Sequence, residues 1–228
     1  EVLKRLGVWD KRGHLIANHT FSHPNFHTIS VTEFEADILK CEQLIKGFKN
    51  FSKLFRFPFL KAGDTKEKRD GIRRFLKTQG YKNGYVTIDA SDWYVSSRLE
   101  GRLTKNPKAD TRPYRDYYLQ HMWDRAQYYN ELSKRHLQRE VDHTLLVHHN
   151  LLNSLFLEDL LAMFKAKGWT LIDASVAFQD PVFGIQTEVL PAGESILWSI
   201  AKANGDGSLR RPGEDSAYEK EAMDQKQL

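Results

Sequence analysis

The segment Asn18-His19-Thr20-Phe21-Ser22-His23-Pro24 places two imidazoles four residues apart. At that spacing side chains project the same way from a helical turn. Neutral imidazole suits zinc, but a metal site needs at least a third protein ligand. Two turn histidines bonded to backbone are the plain alternative. Phe55-Arg56-Phe57-Pro58-Phe59 buries a cation in an apolar run, which is costly unless a carboxylate pairs with it. Bidentate geometry suits that partner, and an ordinary structural ion pair would also satisfy it. Asp89-Ala90-Ser91-Asp92-Trp93-Tyr94 sets two carboxylates beside a tryptophan, either a site wall for a sugar ring or plain core. Leu145-Leu146-Val147-His148-His149-Asn150 ends an apolar run on histidine, a general acid or base if a carboxylate orients it and a capped surface residue otherwise. His14 reads as structural, and His27 as an outer-shell or surface histidine.

The elements that must position these groups alternate. Short apolar runs at His14–Asn18, Leu54–Phe57, Tyr85–Asp89, Thr144–His148 and Trp169–Ile172 read as strands buried on both faces. Between them lie helical patterns. Ser30-x-x-Glu33 or Thr32-x-x-Glu35 offers a capping box ahead of the stripe Phe34, Ile38, Cys41, Leu44, Ile45, Phe48. Asp64-x-x-Glu67 opens a second helix that Gly80 closes. A long aromatic helix spans about 114–138 and is expected to pack rather than to shape a groove. Asn153 caps another, with Leu157, Leu160, Leu161 and Phe164 inward, and Ala192–Asn204 reads as a late helix. The polar tail after Arg211 is expected to pack loosely. The alternation indicates an α/β fold with a parallel sheet, and in such folds chemistry sits at the C-terminal ends of strands, where all four clusters fall.

Composition narrows the function. The chain has 228 residues, which fits one large domain or, at a stretch, two small ones, and its 40% hydrophobic side chains are enough for a sizeable core. No apolar run approaches the roughly 18–20 residues of a membrane span. The single cysteine, Cys41, excludes an intrachain disulfide framework and a Cys-rich zinc module. The net charge of +4 is spread over helix faces that also carry acids, as between Lys66 and Arg74, so nucleic acid is not an expected partner.

Taken in order, the four clusters resemble the motifs of the polysaccharide deacetylase family, the NodB-homology carbohydrate esterases. NHTFSHP resembles its H-[ST]-x-x-H motif, FRFPF its R-x-P-[FY], DASDW its D-x-x-D-W and LLVHHNLLN its terminal Leu-x-His. The resemblance spans roughly His14 to Ile172. It implies a distorted (β/α) barrel, and a single catalytic domain over 1–228 with a polar tail over 205–228. By this resemblance His19 and His23 hold a divalent metal, usually zinc. Arg56 pairs with the catalytic-base aspartate, Phe59 and Trp93 line the substrate groove, and Asp92 orients His148. His148 is the general acid, and Leu146 helps form the acetyl pocket. His149 is the rival if the register is off by one. The implied reaction is removal of acetyl groups from an N- or O-acetylated glycan, and family members are often exported to the periplasm or cell surface.

The family's first motif, Thr-Phe-Asp-Asp, supplies the base and the third ligand, and it does not occur before His19. A βαβ unit takes about 30 or more residues, more than the stretch before His19 offers. Five strand candidates also fall short of a barrel of about eight. A barrel incomplete at the N-terminus, in a chain inactive as it stands, is therefore expected. Asp10 lies in what reads as loop; with His14, His27, Asp89 and His149 it is a substitute ligand to test. The alternatives are a non-catalytic carbohydrate-binding relic and an allantoinase-like C–N hydrolase. The sequence sets no oligomeric state.

Overall fold

The computed structural model describes residues 1–210, 212–213 and 217–228. In chain order the elements are α1 (Val2–Lys11), β1 (Ile16–Asn18), α2 (Val31–Ile45), β2 (Phe51–Phe55), β3 (Lys61–Gly63), α3 (Lys66–Thr78) and β4 (Lys82–Asn83). Then come α4 (Asp92–Lys105), α5 (Arg112–Leu137), α6 (Leu151–Ala166), α7 (Ala174–Ala177), β5 (Ala192–Gly193), α8 (Ile196–Ala203) and α9 (Ala217–Gln225). They fall into two compact units: residues 1–85 with 174–205, and residues 86–173 with 206–228.

In the first unit β1, β2 and β4 form a parallel sheet, with Ile16 opposite Phe51 and Leu54 opposite Lys82. Helices α2 and α3 contribute Phe34, Ile38, Ile72 and Leu76 to a core shared with Phe26, Phe55, Phe57 and Tyr81. Helix α2 starts where the Ser30 capping box closes. The Ser30 hydroxyl accepts the Glu33 N–H at 3.2 Å, and the Glu33 carboxylate accepts the Ser30 N–H at 2.8 Å. Ser30→Ala is expected to cost about 1 kcal/mol in urea unfolding, and an unchanged midpoint would show that this cap contributes nothing. Thr65, not Asp64, caps α3, and Gly80 closes it with φ 74° as expected. β3 pairs antiparallel with β5 at Gly193, where a Cβ would overlap the Leu60 carbonyl oxygen. Only glycine permits that approach.

In the second unit α4, α5 and α6 pack on one another. Helix α5 buries Tyr118, Met122, Ala126 and Tyr129, in keeping with the packing role expected of the aromatic helix. Asn150, not Asn153, caps α6, accepting the Asn153 N–H at 2.9 Å. The buried face of α6 is Leu152, Phe156, Leu160 and Phe164, whereas Leu157 and Leu161 are exposed. The tail differs from expectation: α9 buries Met223 and Glu219, the latter paired with Arg125 of α5 at 3.2 Å.

The parallel sheet and flanking helices bear out the mixed α/β class. The outer strands of the sequence reading differ. Tyr85–Asp89 and Thr144–His148 reduce to one parallel bridge, Ile88 to Leu145, and Trp169–Ile172 forms no strand, with Leu171 and Ile172 exposed. A strand is held by its neighbour's hydrogen bonds, and among the described residues these runs lack a second neighbour. Asp10 lies in α1 rather than in a loop, and its carboxylate accepts the Asn50 N–H at 2.7 Å. No helix among the described residues is long and apolar enough to cross a membrane.

Candidate functional site

The expected site residues form two groups, one in each unit. In the first, β1 delivers Asn18 to the core, where its Nδ2 donates to the Ile38 carbonyl at 3.0 Å and to the Tyr81 hydroxyl at 2.9 Å. Its Oδ1 accepts the Thr20 N–H at 2.9 Å and so turns the chain at His19. Asp37 on α2 grips the same loop, accepting the N–H groups of Phe21 and Ser22 at 2.8 and 2.9 Å. Thr20 and His23 adopt positive φ, 67° and 54°, a strained conformation for side-chain-bearing residues that persists only when the surroundings enforce it. The Thr20 hydroxyl supplies part of that enforcement by accepting the His23 N–H at 3.1 Å.

This loop brings His19 and His23 together, with ring centroids 4.9 Å apart. The His19 Nδ1–H donates to the Arg56 carbonyl at 2.8 Å, which fixes the tautomer and leaves Nε2 as an electron-pair donor. Phe59, itself at φ 54° and exposed, lays its ring edge-on to His23 at 4.6 Å. Arg56 departs from expectation. Its Nε donates to the Gly84 carbonyl at 3.0 Å, and among the described residues no carboxylate pairs with it. Burial without a compensating charge lowers its pKa to about 10.

The donor type and tautomer of His19 match one ligand of a zinc site, yet the set stops short. Among the described residues no group of three or more His, Cys, Asp or Glu is disposed to hold a metal ion. The substitute ligands are placed elsewhere or engaged. Asp10 caps the Lys49–Asn50 turn, and the buried Asp89 accepts the Gly213 N–H at 2.7 Å. His14 and His149 are exposed. His27 has its pKa lowered chiefly by burial, with Asp64 opposing. Among the described residues the donor set therefore does not complete a metal site.

In the second unit Asp92 opens α4 and is fully buried. One oxygen accepts the His148 Nδ1–H at 2.7 Å. The other accepts the His148 backbone N–H at 2.8 Å and the side-chain amides of Asn150 and Asn153 at 2.9 and 2.6 Å. These donors take the place of water around the buried carboxylate. His148, not His149, bonds to it. Its side chain is 40% exposed. Leu146 is buried and donates its N–H to the Ile88 carbonyl at 3.0 Å. Trp93 is half-buried, its ring edge-on to Tyr94 at 5.7 Å. Asn150 and Asn153 were missed as site residues, although their i, i+3 spacing before an apolar run carried the capping signal. Tyr118, which donates to Asn153, gave no signal at all.

A buried carboxylate holding a half-exposed imidazole by Nδ1 is a proton-transfer pair of the kind that hydrolases use. The comparisons with known proteins point the same way. The polysaccharide deacetylase family model matches residues 4–82, the stretch that carries His19, His23, Arg56 and Phe59. A peptidoglycan-N-acetylglucosamine deacetylase of Bacillus cereus is 27% identical over 93 residues, 40% of this chain and 30% of that protein. The chain thus matches less than a third of that relative's length. No solved structure matches. The motif resemblance and both comparisons support the polysaccharide deacetylase family.

Proposed function

We propose that this protein removes acetyl groups from an N-acetylated or O-acetylated polysaccharide or oligosaccharide, with peptidoglycan N-acetylglucosamine one candidate suggested by the relative's name. The observation that carries the reading is the hydrogen-bonded Asp92–His148 pair, at the position the family's acid-carrying motif would occupy. In this reading Asp92 holds His148 with its Nε2 turned to the scissile group. Water adds to the acetyl carbonyl and gives up a proton to solvent, protonated His148 gives its proton to the leaving nitrogen or oxygen, the C–N or C–O bond breaks, and the free sugar and acetate depart. Phe59 and Trp93 offer ring faces to the sugar, and Leu146 packs against the acetyl methyl. A divalent metal, zinc by donor type, belongs to the same proposal, with His19 and His23 as two of its ligands. So do the distorted (β/α) barrel, a single deacetylase-like domain, and a periplasmic or extracellular setting.

The test is acetate release from chitin oligosaccharides and from acetylated peptidoglycan, with and without added zinc. His148→Gln is expected to lower the rate roughly 10²–10⁴-fold, the usual contribution of a general acid. A rate unchanged by that substitution would sink the reading. Among the described residues the ligand set is incomplete and Arg56 meets no carboxylate, which favours one second reading, a non-catalytic carbohydrate-binding protein. It predicts oligosaccharide binding by calorimetry that survives a chelator, without acetate. Hydrolysis of allantoin in the same assay would instead mark an allantoinase-like C–N hydrolase.

A further inference from the structure

The Asp92–His148 pair is backed by two residues that the proposed chemistry does not use. Asn153 is 8% exposed, and its amide nitrogen donates to Asp92 at 2.6 Å and to the His148 carbonyl at 2.9 Å. An asparagine amide can serve an anion only if its NH₂ end, not its oxygen, faces that anion. Here the other end is held: the Tyr118 hydroxyl, fully buried on α5, donates to Asn153 Oδ1 at 2.5 Å. Burial raises the pKa of Tyr118, with the charge of Asp92 adding to the effect, so this hydroxyl keeps its proton and remains a donor. The two residues lie 35 positions apart; Tyr118 lies outside the four motif segments, and Asn153 ends the last of them without being part of its Leu-x-His core.

We infer that Tyr118 and Asn153 are positioning residues for the Asp92–His148 pair: the hydroxyl locks the amide with its NH₂ on Asp92, and this bond sets how strongly the pair holds its proton. The physical ground is competition. A carboxylate that receives neutral hydrogen bonds is less basic, so the imidazole beside it binds its proton less tightly. Withdrawing a donor concentrates the charge on His148 and tightens the proton. Among the described residues Tyr118 and His121 on α5 both sense the charge of Asp92. From α6 the facing groups, Asn150 and Asn153, are neutral.

As a role in deacetylation this rests on the function proposed above, but its test does not need turnover. The full chain, labelled with ¹⁵N-histidine, is titrated by NMR, and the His148 signal is identified by its loss in His148→Gln. Asn153→Leu and Tyr118→Phe are expected to raise the His148 midpoint, by about half to one pH unit for the first and less for the second. Asp92→Asn is expected to lower it. Melting temperatures are taken alongside. Variants that melt earlier yet keep the wild-type midpoint would show a merely structural role and overturn the inference. An Asp92→Asn midpoint equal to wild type would overturn it as well. Shifted midpoints in a protein that releases no acetate would support the inference while removing the deacetylase reading.

Discussion

Asp92→Ala is expected to destabilise the protein by about 3–5 kcal/mol, the range for breaking a buried charged network by removing one partner. The reason lies in what the carboxylate leaves behind. Its two oxygens accept from His148 twice, from Asn150 and from Asn153. Each donor that stays buried without a partner costs about 1–3 kcal/mol, although exposure of His148 and local relaxation return part of this. Because Asn150 caps α6 and Asn153 is its third residue, the loss is expected to appear first as fraying of that helix. Urea unfolding measures the total, and amide exchange at Leu152 and Asn153 locates it. A cost below about 1 kcal/mol would mean that water readily replaces Asp92 and that the network does not anchor α6. In any preparation that releases acetate, the gentler Asp92→Asn is expected to lower the rate roughly 10²–10⁴-fold, since an amide no longer selects the Nδ1–H form of His148.

The second large effect is acid sensitivity centred on His121. This imidazole is 8% exposed, and its Nε2 accepts the Ser91 N–H at 3.1 Å, a bond that only the neutral ring makes. Burial, with nearby Arg125 adding to it, lowers its pKa to about 3, while Asp92 opposes. Between the ordinary value of 6.5 and about 3 the unfolded chain therefore binds a proton that the folded chain refuses. The contribution of neutral His121 is whole above pH 6.5 and is lost as pH falls, at about 1.4 kcal/mol per pH unit. Glu219 works against this trend. Its carboxyl, 3.8 Å from His121 and paired with Arg125, has its pKa raised by burial, so it gains a proton earlier in the folded state and favours folding as pH falls. The two are separated by difference. Relative to His121→Gln, which can still accept from Ser91, the wild type is expected to lose its advantage steadily as urea unfolding is repeated from about pH 7 to about pH 4.5. Parallel curves for the two proteins would show that His121 is not held neutral.

Local pattern and chemistry were enough for the helices that announce themselves and for the reactive residue types. Ser30 and Glu33 mark the start of α2, Gly80 marks the end of α3, the run of aromatic residues marks α5, and four motifs resemble those of a deacetylase. These features are encoded within a few residues of one another, where hydrophobic period and capping operate. What the sequence alone left open depended on partners far along the chain. It could not choose between His148 and His149, because the choice is made by Asp92, 56 residues earlier. It missed α4, whose N-terminus has no side-chain cap, and it misjudged the tail, where Glu219 finds Arg125 across 94 residues. It expected a carboxylate on Arg56, and the fold supplies the Gly84 carbonyl instead. Strand runs at 85–89, 144–148 and 169–172 had the right composition, but a strand exists only where a second backbone satisfies its hydrogen bonds. Which groups can do chemistry, and where the autonomous helices lie, follows from residue type and local spacing. Only the tertiary structure decided which buried polar groups meet, since a buried donor or acceptor must find its partner wherever the folded chain brings one.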